Sequence, residues 1–164
     1  MAETELIQTL IEQARVAQGV LATYSQEQID AVVRAIGKTV FDHAEELAAL
    51  AVEETGMGNL TDKTAKNKGK ARMIWNDLKT KKSIGVLAEY PEKGLIEIAK
   101  PIGVIAAVTP STNPVVTPMC NAMMAIKCAN TVIVAPHPKA KKLTVHLKAL
   151  WDAEFEKLGA PKDI

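Results

Sequence analysis

The sequence predicts an α/β fold in which N-terminal helices and an antiparallel hairpin lead into one β–α–β unit of a parallel sheet. Three observations carry that prediction. Residues 103–108 and 131–135 are short, unbroken, β-branched runs bounded by turn residues, the pattern of strands buried on both faces. Between them Val115, Met119, Ala122, Met123 and Ile126 fall along one helical face. Parallel strands need a crossover of about that length, and such crossovers are right-handed.

The elements follow in order. Leu6, Leu10, Ala14, Ala17 and Leu21 give a first helix over residues 3–22, weakened near Gln18 and Gly19. Ser25 with Gln28 three positions on forms a capping box for a second helix, whose stripe is Ile29, Val32, Val33, Ile36 and Val40. Asp42 is placed as the cap of a third helix carrying Leu47, Leu50 and Ala51, ending at Gly56. Thr61-Asp62 opens a fourth, reaching about Leu78.

Residues 84–90 and 95–100 flank Pro91-Glu92-Lys93-Gly94 and read as an antiparallel hairpin with a four-residue loop. Two strands alone are not stable in water. The hairpin must therefore dock on other strands, in this chain or in a partner. After the second parallel strand, Leu143, Leu147, Leu150, Trp151 and Leu158 mark a last helix that stops at Gly159-Ala160-Pro161.

At 164 residues the length suits about one domain. Apolar content of 48% and charged content of 24% are those of an ordinary globular protein. The net charge of +1 gives no pull toward nucleic acid or a membrane surface. No apolar run is long enough to span a bilayer, and the acidic start lacks the build of a signal peptide. Cys120 and Cys128 lie about 12 Å apart along a helix, too far for a disulfide. Free thiols, a reducing compartment and a cytoplasmic location are expected. A sheet of two parallel strands leaves open edges, so the chain reads as the N-terminal portion of a longer protein, or as one whose remaining strands sit in another chain.

Both polar corners, 109–114 and 136–139, follow the carboxyl ends of parallel strands and so share the rim where open α/β sheets bind ligands. Asn113 sits between Pro110 and Pro114. It suits a neutral oxyanion donor, or an asparagine that merely closes a turn or caps the next helix, and the residues alone favour the latter. Thr109, Ser111 and Thr112 place hydroxyls ahead of a helix N-terminus, an anion-attracting end. In the stiff Pro136-His137-Pro138-Lys139 corner, His137 suits a ribose or adenine and Lys139 a phosphate; alternatively His137 merely starts a helix.

No Gly-x-Gly-x-x-Gly follows either strand, so a standard dinucleotide phosphate loop is absent. Seven lysines and one arginine between Asp62 and Lys82 form a phosphate-attracting flank or a solvated helix face. Cys120 shares an apolar face with Val116 and Met123 and reads as a packed thiol. His43 and His146 sit in predicted helices and read as surface or core fillers, and no metal-ligand spacing is present.

Lys100-Pro101-Ile102-Gly103, Thr109-Pro110-Ser111-Thr112-Asn113-Pro114 and Asn130-Thr131 through Pro136-His137-Pro138-Lys139-Ala140-Lys141 together resemble the CoA-acylating aldehyde dehydrogenase family. Glu54-Thr55-Gly56-Met57-Gly58 and Gly159-Ala160-Pro161-Lys162-Asp163 extend the resemblance over nearly the whole chain. It is strongest to the aldehyde dehydrogenase half of bifunctional aldehyde–alcohol dehydrogenases and to stand-alone relatives such as acetaldehyde or sulfoacetaldehyde dehydrogenases.

The resemblance implies an aldehyde dehydrogenase-like fold with a Rossmann-like NAD domain. Residues 1–83 would be its helical segment, 84–100 a hairpin that builds a homo-oligomer, and 101–164 the first βαβα of the sheet, with the catalytic domain absent. It implies reversible oxidation of a small aldehyde through a cysteine thiohemiacetal and thioester, with NAD as cofactor and coenzyme A as co-substrate. Asn113 matches the family's oxyanion asparagine; Thr109, Pro110, Ser111, Thr112, His137, Pro138 and Lys139 match loops that hold the dinucleotide. Ala135 stands where the non-acylating branch carries a lysine, and neither Cys120 nor Cys128 matches the nucleophile's motif. The rival reading is a non-catalytic nucleotide-binding or assembly module of the same fold.

Overall fold

The computed structural model describes residues 3–164. Ten regular elements run in order: α1 (Glu3–Leu21), α2 (Gln26–Asp42), α3 (Ala44–Thr55), α4 (Leu60–Leu78), β1 (Gly85–Tyr90), β2 (Leu95–Ala99), β3 (Val104–Thr109), α5 (Val116–Lys127), β4 (Thr131–Pro136) and α6 (Lys141–Leu158). Among the described residues no helix is long and apolar enough to cross a membrane.

α2 is the hub of the helical layer, packed against α4, α5 and α6. Its expected stripe of Ile29, Val32, Val33, Ile36 and Val40 is buried throughout. Its start has the expected capping box: the Gln28 N–H donates to Ser25 Oγ at 3.3 Å, and the Ser25 N–H to Gln28 Oε1 at 2.9 Å. Its end differs from expectation. Asp42 is the last residue of α2 and pairs with Lys38 one turn back, so it does not cap α3. His43 occupies the junction with no side-chain cap bond. α3 does stop at Gly56, in the left-handed conformation at φ 68°. α4 begins one residue earlier than expected, because Asn59 Oδ1 accepts the N–H of Asp62 at 2.9 Å.

β3 and β4 pair in parallel, from Val104 with Thr131 to Thr109 with Pro136. The face of α5 that carries Met119, Ala122, Met123 and Ile126 is buried, as expected. The expectation that both strand faces are buried fails. Thr131 Oγ1 donates to the Ala14 carbonyl of α1 at 3.1 Å, so α1 covers the start of one face. The same face opens toward the other end, where Val108 is 84% exposed. In α6, Phe155 takes the buried position and Leu158 is exposed. Trp151 Nε1 donates to the Ile36 carbonyl at 3.2 Å, tying α6 to α2.

Asn130 builds the entry to both strands. Its Oδ1 accepts the N–H groups of Ile102 at 2.6 Å and Gly103 at 2.8 Å, and its Nδ2 donates to the carbonyls of Ala125 and Cys128. Every polar end of this buried side chain is thereby satisfied. The hairpin β1–β2 forms as expected, with a bulge between Val86 and Ala88, but pairs with no other strand among the described residues. Its root is held by a polar knot. Buried Lys127 pairs with Asp30, Ser83 Oγ donates to the Lys127 carbonyl, and Gln26 binds both Asp30 and Ser83.

Candidate functional site

Because β3 and β4 are parallel and in register to their last residues, both polar corners leave the sheet on one side. The His137 N–H donates to the Thr109 carbonyl at 3.0 Å, one step beyond the ladder. Thr109 and Ser111 are buried, Pro110 and Thr112 are exposed, and Asn113 is half-buried. The Asn113 carbonyl accepts the Thr117 N–H at 3.1 Å and so begins α5. No side chain caps that N-terminus, where Val115 is the cap residue.

α4 approaches this corner from the side. Lys63, Lys66 and Asn67 lie at i, i+3 and i+4, on one helix face. Lys63 is buried, and its Nζ donates to the Thr112 carbonyl at 3.3 Å. Lys66 Nζ donates to Asn113 Oδ1 at 3.1 Å. Asn67 Nδ2 donates to the Ala44 carbonyl at 3.1 Å, locking this turn of α4 to α3. Burial holds the Lys63 ammonium below the usual lysine range, and the Lys66 charge adds to the shift.

The lysine run is therefore neither a purely solvated face nor a loose phosphate flank, since two of its members grip the Thr112–Asn113 corner. The available signal was the i, i+3, i+4 spacing inside that run. Asn113 Oδ1 is engaged, whereas no hydrogen bond is formed by its Nδ2 among the described residues. A neutral donor is left beside an uncapped helix N-terminus, which is where developing negative charge is stabilised.

The second corner is arranged differently. His137 Nδ1 accepts the Lys139 N–H at 3.1 Å and caps a 3₁₀ turn over Pro138–Ala140. This is the helix-start role given as the alternative for His137, which is exposed together with Pro138 and Lys139. The N-terminus of α6 is already occupied. Glu54 of α3 accepts the N–H groups of Lys142 at 2.9 Å and Leu143 at 2.8 Å. Of the two helix starts on this rim, only that of α5 lacks a side-chain carboxylate. The buried Thr109 and Ser111 thus line the first corner, and Lys139 is the exposed lysine of the second.

Cys120 is half-buried, and burial pushes its thiol up, with the Lys70 charge opposing. A packed, protonated thiol is not an activated nucleophile. Cys128 is an exposed free thiol at the C-cap of α5. The two histidines are not mere fillers. His43 Nδ1 lies 2.8 Å from Glu46 Oε2 within the first turn of α3, and His146 Nε2 lies 2.6 Å from Glu46 Oε1, which joins α6 to α3.

Comparison with known proteins places these features. The model of the Aldehyde dehydrogenase family matches residues 1–164. The chain is 57% identical over its whole length to a succinate-semialdehyde dehydrogenase (acetylating) of Clostridium kluyveri, covering 36% of that protein. It is 37% identical over 158 residues to the bifunctional aldehyde-alcohol dehydrogenase AdhE of Escherichia coli K12, covering 96% of this chain and 18% of that one. A crystal structure of a probable aldehyde dehydrogenase from Listeria monocytogenes superposes with a TM-score of 0.93 at 40% identity, over 97% of this chain and 35% of the other. The chain thus spans about a third or less of the length of the relatives it matches.

Proposed function

The chain belongs to the aldehyde dehydrogenase family, and from that premise we propose that it supplies a portion of the nucleotide site and the oxyanion donor of an NAD-dependent, CoA-acylating aldehyde dehydrogenase. The observation that supports this reading is the engagement of Asn113 at Oδ1 with Nδ2 left to donate, beside the uncapped start of α5. A carbonyl carbon attacked by a thiolate gathers charge on its oxygen. A fixed amide donor stabilises that charge without changing its own protonation state.

When bound, NAD supplies the hydride acceptor. Thr109, Pro110, Ser111 and Thr112 on one side and His137, Pro138 and Lys139 on the other would hold the dinucleotide. The attacking thiolate is assigned outside residues 1–164, since burial pushes the Cys120 thiol up and neither Cys120 nor the exposed Cys128 matches the motif of the family's nucleophile. Coenzyme A is the proposed acyl acceptor.

The division of the chain follows the same reading: a helical segment over residues 1–83, a hairpin over 84–100, and the first βαβα over 101–164. Val86, Leu95, Ile96 and Ile98 are exposed on the hairpin. That apolar surface suits burial against another copy in a homo-oligomer. Two free thiols suit a cytoplasmic setting.

The test is an assay of the full-length protein with CoA and either NAD or NADP, against succinate semialdehyde, sulfoacetaldehyde, acetaldehyde and propionaldehyde. CoA-dependent reduction of NAD with at least one aldehyde is expected, with succinate semialdehyde first because the 57% identical relative carries it in its name. Nucleotide binding with no turnover on any of them would favour the non-catalytic module. A preference for NADP would correct the cofactor alone.

A further inference from the structure

We infer that Lys66 is a positioning residue that sets which end of the Asn113 carboxamide faces the reacting carbonyl. This rests on the reading of Asn113 as oxyanion donor. An amide side chain presents two ends of nearly equal size, and a half-turn exchanges them. With Oδ1 toward the reacting carbonyl, the group would repel a developing oxyanion. With Nδ2 there, it stabilises one. Something must therefore choose between the two.

An ammonium makes that choice because it has three donors and no acceptor. Lys66 Nζ, 3.1 Å from the side-chain oxygen, is compatible with only one orientation. Its positive charge also strengthens the bond and polarises the amide, which makes Nδ2 a better donor.

A lone surface lysine would be a poor fixture, since exposed pairs are weak and mobile. Lys66 is not alone. The turn of α4 that carries it is pinned by buried Asn67 on the Ala44 carbonyl and by buried Ala71. One turn earlier, buried Lys63 holds the carbonyl of Thr112, the residue next to Asn113. The Asn113 backbone is fixed by its bond to Thr117. Backbone and neighbours are thus held by other groups, and Lys66 acts on the remaining freedom, the rotation of the amide.

The experiment compares Lys66→Met, Lys66→Gln and Lys66→Arg in the full-length enzyme, each alone and combined with Asn113→Ala. Lys66→Met should lower kcat by about 10–100-fold, the scale of a misplaced catalytic group, with aldehyde KM and thermal midpoint nearly unchanged. Lys66→Arg, also a donor-only cation, should recover most of the loss. Lys66→Gln, which donates and accepts, should fall between them. In the Asn113→Ala background all three should have no further effect, because the group they orient is gone.

Unchanged kcat in Lys66→Met, or equal losses in both backgrounds, would overturn the proposal. If Lys66→Met does not fold, equal activity of Lys66→Gln and Lys66→Arg overturns it instead. If Asn113→Ala loses turnover and Lys66→Met does not, positioning fails and the oxyanion reading stands. If Asn113→Ala itself keeps full turnover, both fail together.

Discussion

The His137 N–H donates to the Thr109 carbonyl at 3.0 Å, which carries the parallel β3–β4 ladder one step past the last paired residues. This bond ties the two polar corners to one rim although the whole of α5 and β4 lies between them in the chain. An antiparallel pair would have sent them to opposite ends of the sheet.

Asn113→Ala in the full-length enzyme should lower turnover by about 10²–10³. Its thermal unfolding should match that of the parent protein, because the backbone carbonyl that starts α5 is retained. Steady-state kinetics with one aldehyde and CoA check this. Unaltered turnover removes Asn113 from the chemistry.

Cys120→Ser should leave turnover close to that of the parent. The thiol is half-buried against the core and held protonated by burial. Loss of activity at normal stability would place it in the mechanism after all.

Lys127→Met should be strongly destabilising, by about 3 kcal/mol, because it strands the Asp30 carboxylate in a largely buried site. Asp30→Leu combined with Lys127→Met should recover most of that loss. Urea midpoints of the two variants decide the matter. Equal destabilisation of single and double variants would show that the pair, rather than the stranded charge, carries the energy.

Glu46→Gln should lower stability at neutral pH by less than about 1 kcal/mol, since the pair geometry is half exposed. Hydrogen bonds from His43 and then His146 hold the Glu46 carboxyl below its ordinary value of 4.5. A lowered carboxyl stabilises the fold above that ordinary value, and the stabilisation is lost as pH falls through the folded-state value. The gap between parent and Glu46→Gln in thermal midpoint should therefore close below about pH 4.5. A constant gap across that range would remove the linkage.

The helices were legible wherever their signal is local. The α2 stripe, its Ser25–Gln28 box and the Gly56 stop depend on residues within a turn or two of one another. Asp42 was misplaced because a carboxylate between two helices can cap the second or pair with the first, and Lys38 decided for the first. Among site residues, Asn113 and His137 stood out through their prolines. Lys66 did not, because its partner lies 47 positions away and a helix face reads the same whether it meets water or a loop.

Residue order alone was enough to specify which elements form and in what order, that two strands run parallel, and that two polar corners follow them, since these rest on short-range periodicity and turn chemistry. Spatial packing was needed to learn that Lys63 and Lys66 grip the Asn113 corner, that Glu54 fills the start of α6, and that Val108 stays open beside the rim. Those contacts join distant segments, and they exist only once buried apolar faces have brought the helices to fixed positions around the sheet.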